Sequence, residues 1–375
     1  MNGEFDYLII GAGTAGCVLA ARLSEDPKLR IGLIEAGPRD SHPFIQVPAL
    51  VGAAISRPEL NWRFTTVPQP KLDERRIPVP RGHVVGGSGS INGMVYFRGQ
   101  PRDYDEWAAS GCAGWSWREV LPYFIRSEDN PDYRDSPWHG QGGPIRVAHI
   151  PKPNPLNFAF LEAFGSVGGY GPCKDFNGPT PEGYGLRQGT IRNGKRDSSA
   201  RAYLRPALRR PNLTLLTGAR MRRLLLEGRR VSGAEVEIAG LLHTFRASRE
   251  VVLCAGAVQS PQLLMLSGIG DARELSALGI PVKLDQPDVG GNYHDHLAVA
   301  VLMETGNTTS YGLSLPTLPR SAMNLAQYAL GRRGPLASNV FESTAFIRSR
   351  DGLDRPDLQI VFQPARRNPN AFPLP

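Results

Sequence analysis

The chain has 375 residues, is 41% hydrophobic and 21% charged, and carries a net charge of +8 at pH 7. That length gives room for roughly two or three domain-sized units and a large core, and the composition excludes fibrous and disordered classes. No stretch is apolar for long enough to span a bilayer. Lysine occurs only six times, so the charge rests on arginine. The arginines are scattered among acids and prolines without interleaved aromatics. They read as a solvated basic surface, and no nucleic-acid partner is expected.

Met1–Glu4 is short and polar and leaves no room for a signal peptide, so a cytoplasmic location is expected. The next stretch organises the rest. Asp6–Ile10 is an apolar run of strand length that enters Gly11-Ala12-Gly13-Thr14-Ala15-Gly16. Cys17–Leu23 follows as an alanine-rich helix, and Arg30–Ile34 is a second strand ending on Glu35. Strand, glycine turn, helix, strand and acid in this order form a dinucleotide-binding unit. Gly11 allows the tight turn, Gly13 lets backbone N–H groups approach a pyrophosphate, and Gly16 lets the helix pack on the sheet. The phosphates would sit at the positive end of the helix, and Glu35 can accept from a ribose diol. An acid there favours NAD or the ADP half of FAD over NADP. The cysteines are Cys17, Cys112, Cys173 and Cys254, with no Cys-x-x-Cys pair. Reduced thiols are expected, with no zinc site and no disulfide framework.

Pro38–Pro80 is proline-rich and irregular, as an excursion covering a site would be, with a possible strand at Asn61–Val67. Arg81–Gly99 is a second glycine cluster. Gly86-Gly87-Ser88-Gly89 cannot be an ordinary helix interior. It suits a backbone that hugs a ligand, and Asn92 could present its amide there. Asp103–Glu128 reads as helical with a break at Gly111–Ser116, Pro131–Pro144 as a polar loop, and Pro153–Gly165 as a helix whose apolar side is Phe158, Phe160, Leu161 and Phe164. Tyr170–Gly189 looks like a loop near a cavity, and Ser198–Arg209 like a short helix. Strands are expected at Asn212–Leu216, Met221–Leu226, Val231–Ile238 and Thr244–Ala247. Glu250–Ala255 is continuously apolar and reads as a buried parallel strand. Ser260 is placed to cap a helix starting at Pro261 and stopping at Gly268. Ala255 and Gly256 then sit at another strand-to-helix turn that can face a cofactor. His294-Asp295-His296 lacks an evident third ligand, so no metal is assigned. A helix is expected around Ala322–Leu330, followed by a proline-rich tail, Asn368–Pro375.

Four stretches together resemble the glucose–methanol–choline family of FAD-dependent alcohol oxidoreductases, with local detail closest to its choline dehydrogenase branch. They are Gly11–Gly16 with Glu35-Ala36-Gly37-Pro38, Gly86–Ser88 with Ile91–Tyr96, Gly256–Gly270, and Gly290–His296. The sequence departs from the family pattern at His83, where Lys or Arg is usual, and at Gly89, Gly291, Tyr293 and His294. Ile91 stands where some members attach FAD through a histidine, so non-covalent FAD is implied.

The resemblance implies an α/β fold: an FAD-binding Rossmann-like domain with an antiparallel β-meander, and an incomplete α+β substrate domain. Residues 1–150 and 190–300 would form the first, and residues 151–189 and 301–375 the second. The implied cofactor contacts are Gly11, Gly13, Thr14, Ala15, Gly16, Glu35, Ala36, Val84, Gly86, Gly87, Ser88, Asn92, Gly93, Met94, Val95, Met221, Ala255 and Gly256. The implied reaction oxidises a primary alcohol to an aldehyde by hydride transfer to flavin N5. Its partners are a small-molecule alcohol and an electron acceptor (oxygen, a quinone or another carrier), the last of which could bring the protein to a membrane surface. The family's catalytic histidine and its partner lie in a C-terminal segment, expected beyond Pro375, so no catalytic base is assigned. The alternatives are a truncated, catalytically inactive flavin-binding fragment and an NAD-dependent enzyme.

Overall fold

The computed structural model describes residues 3–303, 309–311 and 317–365, so the expected tail Asn368–Pro375 lies outside the described residues. The chain divides into two compact units. One comprises Met1–His42, Ala54–Ile91 and Ser198–Ala300, the other Pro43–Ala53, Asn92–Asp197 and Val301–Pro375.

The first unit is built on a six-stranded mixed sheet. Its strands are β1 (Gly3–Ile10), β2 (Ile31–Ile34), β3 (Leu213–Leu216), β4 (Ala219–Glu227), β5 (Arg230–Ile238) and β6 (Leu241–Leu253). The spatial order is β3-β2-β1-β6-β5-β4. β3, β2, β1 and β6 run parallel, while β6, β5 and β4 form the antiparallel meander. The sequence accounts for the division. Leu8-Ile9-Ile10 and Ile31–Ile34 are buried throughout, as strands covered on both faces must be. The meander alternates apolar and charged residues, and Arg222 and Arg223 on β4 pair with Glu237 and Glu235 on β5. Helix α1 (Thr14–Leu23) makes the crossover from β1 to β2. One core cluster joins the two halves of the sheet: Leu8, Ile10 and Ile34 with Met221, Leu224, Val236 and Phe245, and Leu263 from helix α2 (Gly256–Leu266).

Three expectations change here. The separate strands at Thr244–Ala247 and Glu250–Ala255 are one strand, β6. The polar Ser248-Arg249 between them stays extended because β6 follows β1 across a register shift between Phe5 and Tyr7, where Ser248 and Arg249 reach Asp6. Helix α2 starts at Gly256, and Pro261 lies inside it. The glycine takes the left-handed turn (φ +86°) out of β6, so helix begins before the proline and the ring removes one helical hydrogen bond. The strand expected at Asn61–Val67 shrinks to Phe64–Thr65, paired with Pro78–Val79. The Asn61 side chain accepts from the Arg63 and Arg81 N–H groups, and Arg63 is left-handed at φ +55°.

The second unit holds a three-stranded antiparallel sheet with Ser343–Ile347 between Leu358–Phe362 and Gly183–Leu186. Helix Pro155–Val167 packs on it through Phe160 against Phe362 and Phe164 against Tyr184. Phe158, expected on the apolar side, is 52% exposed. Its neighbour Asn157 is buried instead, donating to Glu342 and accepting from Ser343. Helices Pro101–Ala109 and Trp117–Ser127 flank a break at Gly111 and Gly114, both left-handed. The basic surface also needs revision, because Arg98, Arg187 and Arg196 are buried and each donates to a main-chain carbonyl. A guanidinium carries five donors, so it can tie several otherwise orphaned carbonyls together inside a unit.

Candidate functional site

In the first unit, β1 and β6 are parallel neighbours, and each ends in a glycine turn that starts a helix. Cys254 N donates to Ile10 O at 2.7 Å, so the two turns leave the sheet side by side. Helices α1 and α2 have no side-chain cap and no acid in the first turn. Their positive ends therefore stand open to an anion. Thr14 and Ala15 are exposed at the start of α1, as are Gly256 and Ala257 at the start of α2.

The glycines of this region divide by what a Cβ would meet. On Gly11 (φ +99°) it would lie 2.5 Å from Cys254 O, and on Gly16 it would overlap the Gly11 carbonyl. On Gly87 it would lie 2.8 Å from Gly13 Cα. The two glycine clusters hug each other: Gly86 N donates to Ala12 O at 2.7 Å. A Cβ on Gly13 would meet only Cys254 O at 3.7 Å, an ordinary contact, and one on Gly256 would meet nothing within 4 Å. Gly11, Gly16 and Gly87 thus serve backbone packing, whereas Gly13 has room for a side chain and Gly256 faces open space. With Thr14, Ala15 and the exposed Ser88, they leave a surface of backbone N–H groups, and this chemistry fits a pyrophosphate.

Glu35, at the end of β2, is 6% exposed. Its carboxylate accepts from Ala12 N and Gly37 N, both at 2.9 Å. Burial outweighs these two hydrogen bonds and pushes its pKa up to about 7. Each oxygen keeps a lone pair, so the group can still accept from a hydroxyl. Ala36 and Gly37 follow. A Cβ on Gly37 would overlap the His83 carbonyl, which is how Val84 and Val85 come close, with Val85 N donating to Pro38 O at 3.0 Å. His83 packs on Trp62, and burial lowers its pKa. Burial thus disfavours a charge at this position, where the resemblance would place a Lys or Arg. Met221 lies in β4 within the core. Asp295 and Tyr293 accept from Arg81, and the described residues contain no group of three side chains that could hold a metal ion.

In the second unit, Asn92–Val95 forms a tightly held loop. Met94 is left-handed at φ +54°. Its carbonyl accepts from Thr190 N at 2.8 Å, and the Gly93 carbonyl accepts from Asn339 Nδ2 at 2.9 Å. Arg196 donates through Nη1 to Asn92 O (2.7 Å) and Asn92 Oδ1 (2.8 Å). Burial pulls the Arg196 pKa down to about 9. Asn92 itself is exposed. Arg196 and Asn339 went unnoticed in the sequence because they lie 104 and 246 residues from their partners, and no local pattern marks such contacts.

The same unit holds a buried polar cluster where a plain polar loop was expected. His139 lies between Glu128 (3.0 Å) and Asp175 (2.9 Å), and Arg98 pairs with Glu128 at 2.5 Å. Burial opposes the His139 charge, but hydrogen bonds to Asp175 and Glu128 prevail and hold its pKa at about 9. Asn130 links Glu128 to Gln188, whose carbonyl accepts from Tyr96 N.

A four-stranded parallel half-sheet, two open helix N-termini and an acid closing the second strand define a dinucleotide-binding type of fold. A family model described as GMC oxidoreductase matches residues 5–298, and the chain belongs to that family. It is 43% identical over 361 residues to an oxygen-dependent choline dehydrogenase of Brucella anthropi, and 44% identical to one of Rhizobium etli. Each match covers 96% of this chain and 65% of the relative, so the chain spans just under two thirds of their length. Among solved structures, pyridoxine 4-oxidase from Mesorbium loti is similar with TM-score 0.81 at 34% identity, over 96% of this chain and 66% of the other. A formate oxidase is similar with TM-score 0.83 at 28% identity, over 96% and 68%.

Proposed function

We propose that the chain binds FAD without a covalent link and takes part in oxidising a primary alcohol to an aldehyde, as a choline dehydrogenase-like protein. One observation carries the reading: two adjacent strand-to-helix turns present uncapped helix N-termini at glycines with room beside them, in a chain whose family match covers residues 5–298. In this assignment Gly13, Thr14, Ala15, Ser88 and Gly256 take the pyrophosphate by backbone N–H donation. Gly11, Gly16, Gly86 and Gly87 hold the two glycine loops in place. Glu35 accepts from the adenosine ribose, with Ala36, Met221 and Ala255 beside the adenosine. Val84 and Asn92–Val95 belong to the flavin end. FAD, when bound, supplies the hydride acceptor. Ile91 cannot form a covalent link to a flavin, whereas a histidine could. The acceptor for the electrons is oxygen or another carrier. The cytoplasm remains the proposed location, and no helix among the described residues is long and apolar enough to cross a membrane.

A second reading is favoured by one observation. The histidines include His139, bound between two carboxylates, and His149, bound to Asp132, and none matches the family's catalytic position. In that reading the chain holds FAD but does not turn over alcohol. Anaerobic addition of choline to the FAD-loaded chain separates the two. Loss of the yellow colour supports oxidation by this chain. A stable yellow complex supports the inactive flavin-binding reading. Retention of NAD with no affinity for FAD would overturn both.

A further inference from the structure

We propose that Arg196 is a positioning residue that holds the Asn92 side chain as a one-way hydrogen-bond donor toward the bound cofactor. This rests on the assignment of Asn92 to the flavin end.

Asn92 Oδ1 accepts from Arg196 Nη1 at 2.8 Å and from Met94 N at 3.0 Å. A carboxamide oxygen has two lone pairs, and both are engaged. The guanidinium and the main-chain N–H are donors only. A flipped amide would set its NH2 against two other donors and lose both bonds, so the orientation is locked. What Asn92 has left to offer a ligand is N–H. The cationic donor on its oxygen also polarises the amide and strengthens that N–H, as linked hydrogen bonds do.

The frame behind it is fixed. Arg196 is 2% exposed and anchored by Nε to Ile45 O at 3.0 Å. Nη1 also holds the Asn92 carbonyl at 2.7 Å. The left-handed Met94 is kept in place by Thr190, and Gly93 by Asn339. A non-glycine residue at positive φ costs energy and persists only where its surroundings over-determine it. The exposed Asn92 amide is thus presented from a rigid support, which is what positioning of a ligand group requires.

The decisive variant is Asn92→Asp. Its carboxylate keeps both acceptor positions and gives Arg196 a counter-ion, but it has no N–H to donate. The expected result is opposite movement of two readouts: the melting temperature of the unliganded chain rises, while FAD binds about tenfold more weakly, the worth of one net hydrogen bond. Arg196→Lys keeps the charge, but a single ammonium cannot span Ile45 O, Asn92 O and Asn92 Oδ1. It should weaken FAD binding on its own and add nothing further in the Asn92→Asp background. In the unliganded chain, the Asn92 side-chain amide resonances should shift in Arg196→Lys. FAD affinity unchanged in Asn92→Asp, or losses that simply add in the double variant, would overturn the proposal. So would amide resonances that do not respond to Arg196→Lys. If the parent chain binds no FAD, the cofactor assignment fails, and the resonances still decide whether Arg196 orients Asn92.

Discussion

Glu35 accepts two backbone N–H donors and is still held near pH 7 because it is almost wholly buried. Its folded pKa lies above the ordinary 4.5, so the folded state binds its proton more tightly than the unfolded state. Its stability contribution is full below pH 4.5 and is lost as pH rises through about 7. The unliganded chain should lose about 3 kcal/mol over that window, and Glu35→Gln should flatten the slope, as chemical denaturation at stepped pH will measure. The glycines give a second contrast at this scale. Gly16→Ala drives a methyl group into the Gly11 carbonyl and should destabilise the fold by about 3 kcal/mol or more. Gly13→Ala meets only an ordinary contact. It should leave stability within about 0.5 kcal/mol of the parent while weakening FAD binding, because its cost falls on the ligand side.

At the scale of elements, the loop after helix Trp117–Ser127 is organised by His139. Burial acts against its charge, and Asp175 and Glu128 hold it at about 9. Being raised above 6.5, this group stabilises fully below pH 6.5 and ceases to do so as pH rises through about 9. Thermal melts between pH 7 and 10 should show this loss in the parent chain, and His139→Gln should lower stability at pH 7 while removing the slope. That window overlaps the upper end of the one assigned to Glu35, so the Glu35→Gln and His139→Gln chains are what separate the two effects. The elements differ in how far they were legible. β1, α1 and β2 stand at their expected places because a buried parallel strand and a glycine turn write themselves in consecutive residues. β6 looks like two strands in the sequence because Ser248-Arg249 is polar, and its pairing with β1 keeps the backbone extended. Helix α2 begins five residues before Pro261, the stronger local start signal, because the left-handed Gly256 already turns the chain into the helix.

For the molecule as a whole, the family and the α/β fold were legible because four glycine-bearing stretches fall in a fixed order over residues 5–298. The supports of the Asn92 loop and the charged cluster around His139 were not, since their partners meet only after folding. This chain, which covers 65% of its curated relatives, should carry a working FAD cradle. Binding to the folded state alone should raise stability by about 2.7 kcal/mol at a hundredfold excess of FAD over its Kd. The most direct measurement is to saturate the purified chain with FAD, desalt it, and precipitate it with acid. About one equivalent of yellow flavin should travel with the protein and then remain in the acid supernatant. A colourless desalted protein, with no rise in melting temperature at any FAD concentration, would mean that the chain does not hold FAD.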